Sequence, residues 1–109
     1  MYQIILSEHF KRCIKGLRKK HPGLIDDIGE ALKQFDPSVN ISLGFGTYKI
    51  RVGSRSMHKG KRGAFRMIVL LLEIHSIITP LALYAKSDTE TLSRQEILYH
   101  AFMVRRELQ

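Results

Sequence analysis

The chain has no tryptophan, three prolines and one cysteine among its 109 residues. A single thiol, Cys13, excludes an internal disulfide and a zinc site built from cysteines. It falls on the stripe of Phe10, Ile14 and Leu17, so it is expected as a small core hydrophobe. Long apolar runs are also missing. The longest, residues 67–72, is far short of the roughly 20 residues that span a bilayer. Residues 1–6 are apolar without a basic flank before them, so no secretory leader is expected. The protein is expected in the cytoplasm, with no membrane partner.

The familiar catalytic patterns are absent too. His9, His21, His58, His75 and His100 share no helical i, i+4 spacing with one another. No serine sits in a strand-to-helix elbow and no glycine-rich phosphate loop opens a helix. No metal site and no cofactor are expected. Each histidine reads as a surface residue, and His58 is the one to note because of its surroundings.

Those surroundings lack negative charge altogether. Residues 49–66 hold seven basic side chains, Lys49, Arg51, Arg55, Lys59, Lys61, Arg62 and Arg66, and no acidic one. The rest of the chain carries eleven basic and ten acidic residues, so this segment holds nearly all of the net charge of +8. Charge concentrated in this way repels itself and is most useful facing a polyanion such as RNA.

What is present suits one domain, residues 1–109. A hydrophobic fraction of 44% can fill a core in a chain of this length. Residues 2–6 read as a short strand. Ser7 reads as the N-cap of a helix that Pro22-Gly23 stops. A second helix over residues 24–35 places Leu24, Ile28, Leu32 and Phe35 inside and Asp26, Asp27 and Glu30 outside. Residues 44–52 alternate as a half-buried strand, with Lys49 and Arg51 on its open face. Residues 65–74 read as a central strand buried on both sides, and residues 77–86 as another, with Pro80 at a bulge or edge. Ser93 and Glu96 form a capping box for a last helix. The expectation is an α+β fold. Two N-terminal helices pack on a small, mostly antiparallel sheet of about four strands, followed by a C-terminal helix.

If the strands flanking the basic loop pair as a hairpin, Arg66 returns beside Arg51. Tyr84 and Lys86, two apart on the next strand, then extend the same face. The expected result is a cationic groove for single-stranded RNA, with Tyr84 as a stacking platform and Arg55, Lys59 and Arg62 on the backbone. Cations can also cleave RNA through its own 2′-hydroxyl. Arginine stabilises the phosphorane, and a lysine crowded by cations can move a proton.

The stretch Lys59-Gly60-Lys61-Arg62-Gly63-Ala64-Phe65-Arg66, its apolar strand, and Leu83-Tyr84-Ala85-Lys86-Ser87 together resemble the RelE/ParE superfamily of type II toxins. The HigB-like branch fits best, and Leu92, Ser93 and Glu96 at the start of the last helix agree with it. Ala64 stands where a second glycine is usual and Arg62 where a serine is, and no tyrosine matches the one early in the last helix of RelE.

The resemblance implies a RelE-like fold and a metal-independent endoribonuclease. Such an mRNA interferase acts on mRNA at the ribosome, inhibits translation and is blocked by a cognate antitoxin. It implies that Arg66 holds the scissile phosphate and that Lys49 and Arg51 help activate the 2′-hydroxyl. Lys61 is then the basic residue of the turn, and Lys86 protonates the leaving oxygen. Two readings remain beside it: a ParE-like inhibitor of DNA gyrase, and an RNA-binding module without cleavage.

Overall fold

The computed structural model describes residues 2–53 and 65–109. Its sheet has five strands in the order β1-β5-β4-β3-β2: β1 (Gln3–Ile4), β2 (Ile41–Gly44), β3 (Thr47–Val52), β4 (Phe65–Leu72) and β5 (Ile77–Ala85). Helices α1 (Glu8–Cys13), α2 (Lys15–Lys20) and α3 (Leu24–Lys33) precede β2, and α4 (Arg94–Leu108) ends the chain. β2, β3, β4 and β5 pair antiparallel in sequence order, whereas β1 runs parallel to β5.

The α+β class and the C-terminal helix match the expectation, and three details correct it. First, the N-terminal region has three helices instead of two, because the first breaks at Ile14, whose N–H reaches the carbonyls of Phe10 and Arg12. Gly16 follows the break, and glycine weakens a helix by about 1 kcal/mol relative to alanine. Second, the sheet has five strands and is mixed. β2 escaped the sequence reading because an exposed edge strand carries no clear alternation. Third, residues 45 and 46 are a turn that breaks the expected strand, with Gly44 closing β2 and Thr47 opening β3. Gly44, Phe45 and Gly46 all have positive φ, and the two glycines make that tight reversal feasible.

The alternation along β3 and β4 sends side chains to two cores. On one face Ile50, Val52, Phe65, Met67, Val69 and Ile78 pack with Phe10, Ile14, Leu24 and Ile28 from α1, its break and α3. On the other, Ile68, Leu70, Leu81 and Tyr84 pack with Ile97, Ala101 and Val104 of α4. The central position of β4 explains its continuous apolar run, since Met67, Ile68, Val69 and Leu70 are all fully buried. Each such side chain contributes roughly 1.5–3 kcal/mol. Pro80 does sit at a bulge: Ile68 faces Ala82 while Val69 faces Pro80, which leaves Leu81 as the extra residue on β5.

Both expected caps are present. Ser7 Oγ accepts from the Phe10 N–H at 3.0 Å. The Ser93 hydroxyl and the Glu96 carboxylate make the reciprocal pair that opens α4. Among the described residues, no helix is long and apolar enough to cross a membrane. Asp27, expected outside, is buried.

Candidate active site

Three strands position the basic residues. In the β3–β4 ladder Arg51 stands opposite Arg66 and Lys49 opposite Ile68, so all three cations share one face. In the β4–β5 ladder Arg66 stands opposite Tyr84, which extends that face toward Lys86, the residue just after β5. Lys49, Arg51, Arg66 and Lys86 line one open cleft of about 350 Å³, together with Ile41, Ile50, Glu90 and Thr91. Arg51 and Lys86 are exposed, while Lys49 and Arg66 are half-buried with their stems against the sheet. The Arg66 guanidinium also donates to the carbonyl of Phe65 at 3.3 Å.

Four of the expected site residues therefore meet in one place. Arg55, Lys59, Lys61 and Arg62, with His58, lie outside the described residues.

Tyr84 corrects its expected role. Its ring is 8% exposed and belongs to the core under α4, so it has no open face on which a base could stack. Its hydroxyl instead donates to the Glu90 carbonyl at 3.4 Å, which ties the segment after β5 back to the sheet. Burial raises the Tyr84 phenol above its usual range, and the positive charge of Arg66 offsets part of that rise. The phenol stays protonated at neutral pH.

Glu90 and Thr91 are the cleft residues that sequence reasoning missed. Among the described residues, Glu90 is the acidic residue in a lining that holds four basic ones. Nothing in the local pattern flags it, because the segment after β5 only takes its place once Tyr84 anchors it. The cleft thus offers several groups able to hold a phosphate within a single concavity.

A second cluster lies away from the cleft. His9 Nε2 and His100 Nδ1 are 2.8 Å apart, and Cys13 Sγ is 3.7 Å from His9 Nε2. Cys13 is exposed, which corrects its expected place in the core. The core takes Phe10 and Ile14 from this turn, and Cys13 falls on the flank shared with His9.

No protein-family model matches the chain, and no curated protein matches it. Among solved structures it is similar to E. coli toxin RelE, a double arginine-to-alanine mutant in the free state. The TM-score is 0.55, with 16% sequence identity over 96% of each chain. The fold is RelE-like.

Proposed function

We propose that the protein is the toxin of a toxin–antitoxin pair, of the HigB-like kind, and that it cleaves mRNA at the ribosome in the cytoplasm. The observation that carries this reading is the convergence of Lys49 and Arg51 of β3, Arg66 of β4 and Lys86, just after β5, on one cleft. The RelE-like fold and the basic sequence from Gly60 to Arg66 support it.

The chemistry follows from the groups available. Arg66, central in the cleft wall, grips the scissile phosphate with its planar fork and neutralises the charge that builds on the phosphorane. Arg51 adds a second guanidinium beside it. The 2′-hydroxyl gives up its proton to a basic group lining the cleft, Lys49 or Glu90. Its oxygen then attacks phosphorus. The P–O5′ bond breaks, Lys86 supplies a proton to the leaving 5′-oxygen, and a 2′,3′-cyclic phosphate remains. Lys61 adds a further phosphate contact, and Arg55, Lys59 and Arg62 guide the flanking RNA. The partner is a cognate antitoxin that blocks the cleft.

The test is to add the protein to a translating extract and map mRNA ends. Breaks inside codons that leave cyclic-phosphate ends are expected. Intact mRNA alongside blocked DNA supercoiling moves the assignment to a gyrase inhibitor, and intact mRNA with RNA still bound moves it to a binding module.

A further inference from the structure

We propose that His9, Cys13 and His100 form a binding site for a divalent d-block cation of the zinc class, held by two imidazole nitrogens and one thiolate where α1 meets α4. None of the three lines the cleft, so the site stands apart from the proposed chemistry of RNA.

The geometry carries the inference. One ligand atom from each of the three residues lies within 4.8 Å of the others. Zinc bonds of about 2.0–2.1 Å to nitrogen and 2.3 Å to sulfur give tetrahedral edges of roughly 3.3 Å between two nitrogens and 3.6 Å between nitrogen and sulfur. The Cys13–His9 separation of 3.7 Å already matches the second edge. The His9–His100 separation of 2.8 Å is that of a hydrogen bond, and it has to open by about half an ångström to admit the ion. His9 and Cys13 are one helical turn apart on α1, so their side chains share a face by construction. His100 comes from a helix 91 residues away in sequence, and its placement is set by α4 packing on the sheet.

The surroundings favour loading. Burial is the main cause that holds both imidazoles below the usual histidine range, aided at His9 by the charge of Arg12 and at His100 by His9. Both rings are therefore neutral near pH 7, which is the ligating form. The Arg12 charge opposes a cation, and the Glu107 carboxylate beside His9 opposes Arg12. Partial burial of the sulfur, in a residue otherwise open to solvent, raises the Cys13 thiol, so binding must displace its proton: the S–H bond breaks, the S–metal bond forms, and one proton leaves per ion. The proton shared between the imidazoles moves to the outward nitrogen of its own ring, which changes no net count. Exposure of Cys13 gives the ion a way in and leaves a fourth position for water.

The experiment uses the full chain stripped with a chelator, then titrated with Zn²⁺ by calorimetry in two buffers of different ionisation enthalpy. Expected are one ion per chain, one proton released and a rise in Tm. Co²⁺ in place of Zn²⁺ should give a thiolate charge-transfer band that Cys13→Ser lacks. Cys13→Ser and His100→Gln should each weaken Zn²⁺ at least about tenfold, while His75→Gln, an exposed histidine elsewhere, leaves it unchanged. Equal Zn²⁺ binding by the wild type, Cys13→Ser and His100→Gln overturns the site, as does no binding at all. Because Cys13 is exposed, its serine variant keeps the fold and the comparison stays readable.

Discussion

Arg51 and Arg66 stand directly opposite each other in the β3–β4 ladder, two guanidinium groups on one face of neighbouring strands. Like charges in directly opposed positions destabilise a sheet by a few tenths to about 1 kcal/mol. The proposed function gives this pair a ligand, the RNA phosphate. Arg51→Thr, which preserves strand propensity, should therefore raise Tm by a few degrees and weaken RNA binding. Thermal melts with and without an oligoribonucleotide check both halves. A lower Tm with unchanged affinity would remove the argument that the pair is functional.

Arg66 is the harsher test. Its side chain is half-buried and at the centre of the cleft wall. Arg66→Ala should reduce mRNA cleavage by about 10²–10³-fold, the usual loss when one preorganised contact to a developing charge is removed. Arg66→Lys keeps the charge but loses the fork, and should recover only a small part. Circular dichroism must show a folded protein, and primer-extension mapping reads the cleavage. Full cleavage by a folded Arg66→Ala protein ends its assignment to the phosphate.

Salt gives an independent measure of the cleft. Single-stranded RNA loses affinity with a log–log slope of roughly −0.7 for each phosphate neutralised. Among the described residues four cations line the cleft, so the slope should be about −3 or steeper. Lys86→Ala, an exposed position outside the strands, should lessen it by about 0.7. Filter-binding or anisotropy titrations from low to moderate salt decide it, and a flat response means that the cations do not contact the backbone together.

The cationic face was legible because strands leave a two-residue period that a hairpin must respect. If the strands over residues 44–52 and 65–74 pair as a hairpin, Arg66 returns to the neighbourhood of Arg51, and it does. Tyr84 was misread although its parity was right. It lies on the same face, but α4 covers that part of the sheet and buries the ring, and no local pattern tells how far along the strands a distant helix lies. Cys13 failed for a related reason: an i, i+3, i+4 stripe locates a face of α1 but not which edge of it meets α4. β2 left no signal because an exposed edge strand of four residues has no buried side to alternate with.

Glu107 links the two ends of the chain and makes stability depend on pH. Its carboxylate accepts from the Glu8 and His9 N–H groups, each at 2.8 Å, and so caps α1 from the last turn of α4. The His9 N–H bond is the main reason that this carboxyl sits below its usual range. A depressed folded-state value adds stability above the unfolded value, near 4.5, and that stability fades as pH falls through the folded value. Glu107→Gln should therefore lower Tm at pH 7 and lose its difference from the wild type in strong acid. The loss at neutral pH should be roughly 0.5–1 kcal/mol, the low end for a helix cap because the carboxylate is open to solvent. A deficit that persists unchanged below pH 3 would show that the charge plays no part.

Two glycines should respond in opposite directions to the same substitution. Gly46, in the β2–β3 turn, has φ +76, and a Cβ placed there would lie 3.1 Å from the Leu71 carbonyl oxygen. That oxygen belongs to β4 backbone and cannot swing aside, and the Gly46 carbonyl also accepts the Leu71 N–H at 2.8 Å. Gly46→Ala therefore meets both the left-handed penalty and a clash with a fixed atom, and should cost about 2 kcal/mol. Gly16 lies in α2 with nothing within 4 Å of a Cβ. Gly16→Ala should instead stabilise by roughly 0.5–1 kcal/mol, because alanine loses less backbone entropy in a helix. Urea melts of the two variants give the sign directly. A stabilising Gly46→Ala would mean that the turn can take a right-handed form, and the placement of Phe45 between two positive-φ glycines would then have to be revised.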